Sequence, residues 1–146
     1  MKRIIWIMLL CSITLTARAD GDRPIQPNQL PERAQTFLAT HFADRAVSLA
    51  KADRDLLELH YEVVLMGGEK IEFDRSGAWE EVSCHYTAVP KGVVPDAIRT
   101  HFEGMYPEAQ VLEIKRERGN YELKLNNGRE LTYNRNFQLI DMDIDD

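Results

Sequence analysis

Cysteine is almost missing from this 146-residue chain, which holds only Cys11 and Cys84. Cys11 falls in an amino-terminal stretch with the features of an export signal. If it leaves with that stretch, Cys84 stands alone and no intrachain disulfide can form, even in an oxidising compartment. Basic charge is also scarce, with 18 Lys and Arg against 24 Asp and Glu and a formal net charge of −6. Loss of Lys2, Arg3 and Arg18 with the signal leaves 15 basic residues against 24 acidic ones, a net −9. Such a surface argues against nucleic acid, whose backbone needs a Lys/Arg patch, and against adhesion to anionic lipid headgroups. Long hydrophobic runs are lacking too. Ile4 to Leu10, extended weakly by Cys11 to Leu15, is too short for a stable membrane anchor.

Catalytic motifs are equally absent. There is no Gly-x-Ser-x-Gly elbow and no phosphate-binding glycine loop. His41, His60, His85 and His101 show no metal-ligand spacing. A thiol enzyme built on Cys84 with His85 or His101 is the alternative from another class. Against it, His85 adjoins Cys84 along a strand, where neighbours point to opposite faces, so Cys84 reads as a small apolar strand residue. No cofactor is called for.

What is present begins with the amino terminus. Lys2 and Arg3 form a charged n-region, an apolar core follows, and Ala17-Arg18-Ala19 fits the small-x-small pattern of a cleavage site. The pattern predicts a signal peptide over 1–19 and a mature chain from Asp20. Lipidation at Cys11 is the rival reading, opposed by the bulky Leu10 before it. Residues 20–29 read as a flexible lead with almost nothing to bury.

The rest of the chain is written twice. A shift of 64 carries Leu30-Pro31-Glu32 to Val94-Pro95-Asp96, Leu38 to Phe102, Phe42 to Tyr106 and Val47 to Val111. Further on the shift is 60, carrying Tyr61-Glu62-Val63 to Tyr121-Glu122-Leu123, Gly68 to Gly128, and Ile71 and Phe73 to Leu131 and Tyr133. Both changes of offset fall in polar stretches, where insertions cost little loop entropy. In each copy a 3.6-residue apolar period starting at a proline gives way to strict alternation. Gly67-Gly68 and Asn126-Asn127-Gly128 mark tight hairpins. Ala52 to Arg54 reads as a polar turn. The pattern predicts an α+β fold of two tandem repeats, 30–86 and 87–146. Each has one helix and four antiparallel strands, and the two share a continuous sheet with both helices on one face. A lone unit of this size would be marginal, and joining two pairs edges that would otherwise invite aggregation. The helix-facing set includes Phe37, Phe42, Val63, Leu65, Ile71, Phe73 and Trp79, then Ile98, Phe102, Leu123, Leu131, Tyr133 and Phe137.

Leu30-Pro31, Phe42, Tyr61-Glu62-Val63 and the run from Ile71 through Phe73-Asp74 to Gly77 and Trp79 together resemble the PepSY-like proteins, grouped with the beta-lactamase inhibitor protein fold. Val94-Pro95, Tyr106-Pro107, Tyr121-Glu122-Leu123 and Leu131-Thr132-Tyr133-Asn134 repeat the pattern. The resemblance covers Leu30 to about Met142. It implies a periplasmic or secreted, non-enzymatic binding module: an inhibitor of proteases or beta-lactamases, an envelope interaction protein, or a calcium-regulated protein. Two departures stand out. The first helix lacks the proline that follows Tyr106, and Asn136-Phe137 replaces the Gly-x-Trp.

The expected partner is another exported or envelope protein. Its expected docking face carries Glu62, Lys70, Glu72, Glu122, Lys124, Glu130 and Thr132, with His85 and Tyr86 at the junction of the repeats. A hard cation such as Ca2+ would suit Asp141, Asp143 and Asp145, which alternation places on one side of a strand. A frayed acidic terminus is the plainer reading of the same residues.

Overall fold

The structure, a computed structural model, describes residues 21–144 with the exception of residue 56. The predicted signal peptide over 1–19, with Cys11, and Asp145 lie outside the described residues.

Two ten-residue helices, α1 (Glu32–His41) and α2 (Asp96–Met105), begin and end alike. Pro31 and Pro95 precede them at φ −51° and −52°. Proline suits this position because it brings no surplus N–H and fixes a helix-compatible φ. Glu32 and Asp96 sit in the first turns, where the helix dipole favours acid. Phe42 and Tyr106 close the helices at φ −133°, their N–H groups donating to Leu38 O and Phe102 O.

Nine strands form one antiparallel sheet among the described residues: β1 (Arg23–Pro24), β2 (Val47–Asp55), β3 (Glu58–Leu65), β4 (Lys70–Phe73), β5 (Trp79–Ser83), β6 (Val111–Glu117), β7 (Asn120–Leu125), β8 (Arg129–Tyr133) and β9 (Leu139–Ile144). Their order in the sheet is their order in the chain. α1 lies between β1 and β2 in sequence, and α2 between β5 and β6.

One cross-strand row forms the spine of the core. Val63, Ile71, Val82, Ile114, Leu123 and Leu131 stand successively opposite one another, and each has 0% of its surface exposed. Full burial of such a side chain contributes about 1.5–3 kcal/mol. Phe37 of α1 meets Phe73 edge-on at 5.6 Å between ring centres, and also packs on Trp79. Ile98 and Phe102 of α2 are buried, and His101 Nδ1 lies 2.9 Å from the Tyr133 hydroxyl.

Small irregularities recur in step. The β2–β3 register slips at Val47/Leu49 and the β6–β7 register at Val111/Glu113. The β4–β5 slip at Glu72/Phe73 is matched on β8–β9 at Thr132/Tyr133. Asp74 Oδ1 accepts from the N–H groups of Ser76 and Ala78, and Asn134 Oδ1 does the same for Asn136 and Gln138. Both turns then need a left-handed residue, supplied by Gly77 at φ +84° and by Phe137 at φ +62°.

Three local expectations are corrected. The polar stretch Ala52 to Arg54 is strand, not turn: Ala52 stands opposite Tyr61 and Asp53 opposite His60. Its polarity belongs to alternation, with Lys51, Asp53 and Asp55 on one face. Within the lead, Arg23 and Pro24 pair with Ala52 and Lys51, and Ile25 packs on the core. An edge strand needs backbone partners more than apolar side chains, so composition hides it. Phe137 does not join the helix-facing core. It is 38% exposed and packs on Tyr121 at 5.6 Å, because the turn it occupies directs it there.

Candidate functional site

Side chains alternating with the buried row project from the other face of the sheet, and strand register sets them side by side. One row reads Lys51, Glu62, Glu72, Glu81, Lys115, Glu122, Thr132, Asp141. The next reads Val64, Lys70, Ser83, Glu113, Lys124, Glu130, Asp143. The structure thus gathers Glu62, Lys70, Glu72, Glu122, Lys124, Glu130 and Thr132 onto one charged face. It adds Lys51, Glu81, Glu113 and Lys115. Glu81, Glu113 and Lys115 were missed because β5 and β6 meet across a helix, where no local pattern announces the pairing, and Lys51 because its strand was read as giving way to a turn at Ala52. The signal was present: the shift of 64 maps Lys51 onto Lys115, and the shift of 60 maps Glu81 onto Asp141.

Glu62, Glu72 and Glu81 occupy three adjacent strands, like charges directly opposite one another, an arrangement that destabilises a sheet. Lys70 relieves part of it, its Nζ 2.7 Å from Glu72 and 3.8 Å from Glu62. Lys51 Nζ lies 3.5 Å from Glu62. Burial, then the charge of Glu72, push the Glu81 carboxyl above its ordinary value. Burial pulls Lys70 down, but its hydrogen bond to Glu72 and the surrounding carboxylates outweigh that and raise it.

At the β2–β3 end the face dips into an open cleft of ≈ 490 Å³. Asp53, Asp55, Glu58, Glu62, Glu72 and Glu80 line it, with Lys51 and His60 as its basic groups. His60 Nδ1 lies 2.8 Å from Glu80 and Nε2 3.2 Å from Glu58. Burial lowers the His60 pKa, but Glu80 and then Glu58 outweigh it, so the folded value stands above 6.5. The stability this group contributes is therefore complete below about pH 6.5 and is lost as pH rises through the higher folded value. Thermal unfolding followed from about pH 6 to about pH 8 is expected to fall less steeply for His60→Gln than for the parent chain.

The junction between β5 and α2 is built differently. Glu69, just after the Gly67-Gly68 turn, is 2% exposed. Its Oε1 accepts from Thr87 Oγ1 at 3.3 Å and faces Arg45 Nε at 3.6 Å, while Oε2 has no hydrogen-bond partner. Cys84 is fully buried alongside, and burial pushes its thiol up to about 11, far from the activated thiolate a nucleophile needs. His85 turns the other way, its Nε2 3.4 Å from Ser83 Oγ, and His101 is engaged with Tyr133. Neither histidine is positioned by these contacts as a base for Cys84. Tyr86 is 87% exposed and leans over Gly68. Asp141 and Asp143 share the charged face on β9. Among the described residues no three or more His, Cys, Asp or Glu side chains are grouped to hold a metal.

The fold, an α+β unit of two helices and a nine-stranded open antiparallel sheet, has known counterparts. The family model described as putative beta-lactamase-inhibitor-like, PepSY-like matches residues 59–141. A putative periplasmic protein from Bacteroides vulgatus superposes with a TM-score of 0.83 at 49% identity, over 86% of this chain and 98% of that one. A putative calcium-regulated periplasmic protein from Bacteroides thetaiotaomicron gives 0.83 at 47% identity, over 86% and 98%. A second Bacteroides vulgatus protein, described as a putative periplasmic protein of unknown function, gives 0.79 at 30% identity, over 84% and 99%. Among curated proteins none matches. The chain belongs to the PepSY-like family. None of these descriptions names a catalytic activity. No helix among the described residues is long and apolar enough to cross a membrane.

Proposed function

We propose that this is an exported, non-catalytic module of two tandem repeats. On this reading both helices cover one side of the sheet, and the charged face is left open to dock another exported or envelope protein. The paired irregularities of register, cap and turn support the repeat. Phe37 on Phe73 and His101 beside Tyr133 support a shared helix side, since Phe73 and Tyr133 each lie two residues along from a member of the buried row. The observation that carries the docking role is the adjacent run Glu62, Glu72, Glu81. A face that holds like charges opposite one another gives up stability, and a sheet with no partner to meet gains nothing from doing so.

That trade supplies the test. Glu72→Lys sets a cation between two glutamates, whereas Glu122→Lys sets one between Lys115 and Thr132. The first is expected to leave the melting temperature unchanged or slightly raised and the second, which faces Lys115, to lower it slightly, each change within about 0.5 kcal/mol. The same pair is expected to abolish capture of the partner when the mature chain is used as bait on periplasmic extract. A captured beta-lactamase or protease that loses activity indicates an inhibitor. A membrane sensor or envelope assembly indicates a scaffold. Capture that survives both reversals moves the docking surface elsewhere, with His85 and Tyr86 next in line.

Export itself rests on Lys2, Arg3 and Ala17-Arg18-Ala19, supported by the periplasmic descriptions of the relatives. Intact mass of the exported protein is expected to match a chain starting at Asp20. A chain starting at a lipid-modified Cys11 would overturn that assignment.

Calcium binding is a second reading, supported by the description of the Bacteroides thetaiotaomicron relative. Titration of the mature chain with Ca2+ by calorimetry, beside an Asp141→Asn/Asp143→Asn variant, separates it from the docking role.

A further inference from the structure

We propose that β9 is a docking edge for an extended segment of a partner protein that alternates apolar and basic residues and adds to the sheet as a tenth strand. The proposal concerns the edge of the sheet, which meets the charged face at Asp141 and Asp143.

The two edges of the sheet are unlike. β1 has two residues, one of them Pro24, which has no N–H to offer. β9 has six residues and, among the described residues, pairs on one side only, with β8. The Met142 N–H is met by the carboxylate of its own neighbour, Asp141 Oδ1, at 3.0 Å. Met142 and Ile144 alternate along β9 and are 45% and 61% exposed, and Ile140, at the register slip, is 54% exposed. Met142 stands opposite the fully buried Leu131, so this apolar strip extends the core beyond the last strand.

The first half of the chain shows what such a strip normally meets. The shift of 60 carries Glu81, Val82 and Cys84 onto Asp141, Met142 and Ile144. Val82 and Cys84 are completely buried, and β6 lies alongside with Ile114 opposite Val82 and Lys115 opposite Glu81. Among the described residues β9 has no counterpart of β6. By that template the complementary strand carries an apolar residue opposite Met142 and Lys or Arg opposite Asp141; opposite Asp143, which replaces Ser83 of the template, its own carboxylate calls for Lys or Arg. A second copy of this chain fits poorly. Antiparallel self-pairing of β9 sets Asp141 and Asp143 against the same carboxylates, which destabilises the pair. Main-chain hydrogen bonds along the edge would supply affinity and the alternating side chains specificity.

The test uses the mature chain and an amide-capped, fluorescent peptide alternating Lys and Val, with a Glu/Val peptide as control. The Lys/Val peptide is expected to bind and to slow amide exchange at residues 139–144. Asp141→Lys/Asp143→Lys, both at exposed positions, is expected to weaken it about tenfold and to favour the Glu/Val peptide instead. Circular dichroism confirms that the variant keeps its sheet. The proposal is overturned by absence of binding, by equal affinity for the variant, or by protection that appears at residues 51–62 and 70–73 in place of β9. A concentration-dependent dimer that occupies the edge in the absence of peptide also overturns it.

Discussion

Replacing Gly77 by alanine is expected to lower the melting temperature by roughly 10 °C. Two costs coincide there. At φ +84° a Cβ enters the left-handed region, a strain of about 1 kcal/mol. A Cβ would also stand 2.8 Å from Pro31 Cβ and 2.9 Å from the Ala34 backbone nitrogen, both at the start of α1. Backbone cannot swing aside as a side chain can, and overpacking of this kind costs about 1–3 kcal/mol. Together the loss is about 2–4 kcal/mol. Phe137 occupies the matching turn at φ +62°, so the turn alone tolerates a side chain. What forbids one at Gly77 is the approach of α1. Thermal unfolding of Gly77→Ala beside Phe137→Gly checks the distinction: the first should fall steeply, and the second should move little, since relief of backbone strain offsets the lost contact with Tyr121.

Arg45→Met is expected to destabilise the chain by about 2 kcal/mol, and Glu69→Leu in the same molecule to recover most of it. Glu69 is buried with one oxygen unpartnered, and Arg45 is the cation that faces it. Removing the cation leaves the carboxylate with Thr87 Oγ1 alone. The Arg45 side chain is 37% exposed and so partly screened, which places the cost below that of a fully buried pair. Replacing both members removes the buried charge along with its partner. Urea unfolding of both single variants and the double variant measures the coupling. Additive losses would mean that Arg45 and Glu69 act separately.

Legibility of the fold followed the range of the interaction. Pro31 with Glu32 and Pro95 with Asp96 are local signals, and both helices start there. Gly68 and Gly128 take φ +90° and +77°, as the hairpin motifs require. The polar stretch at Ala52 could not be read locally, because only pairing with Tyr61 and His60 makes it strand. β1 could not be read either, since an edge strand held by backbone bonds leaves no apolar pattern. For the charged face, alternation displayed Glu62, Lys70, Glu72, Glu122, Lys124 and Glu130. It could not display Glu81 opposite Lys115, whose contact crosses α2. Glu69 was opaque for another reason: a glutamate after two glycines looks like solvent-exposed turn, and its burial depends on Thr87 arriving from the junction.

The order of the sheet has a consequence for how the chain is made. Each strand pairs only with the strand before it and the strand after it, from β1 to β9. Contacts that close short stretches of chain form quickly, so assembly should be fast for a protein so rich in sheet. A chain released amino terminus first holds each strand in reserve only for the next one to emerge, across α2 in the case of β5 and β6. Each new hairpin docks on the one just finished, and at any moment the growing end exposes a single unpaired edge. Among the described residues that last edge is β9.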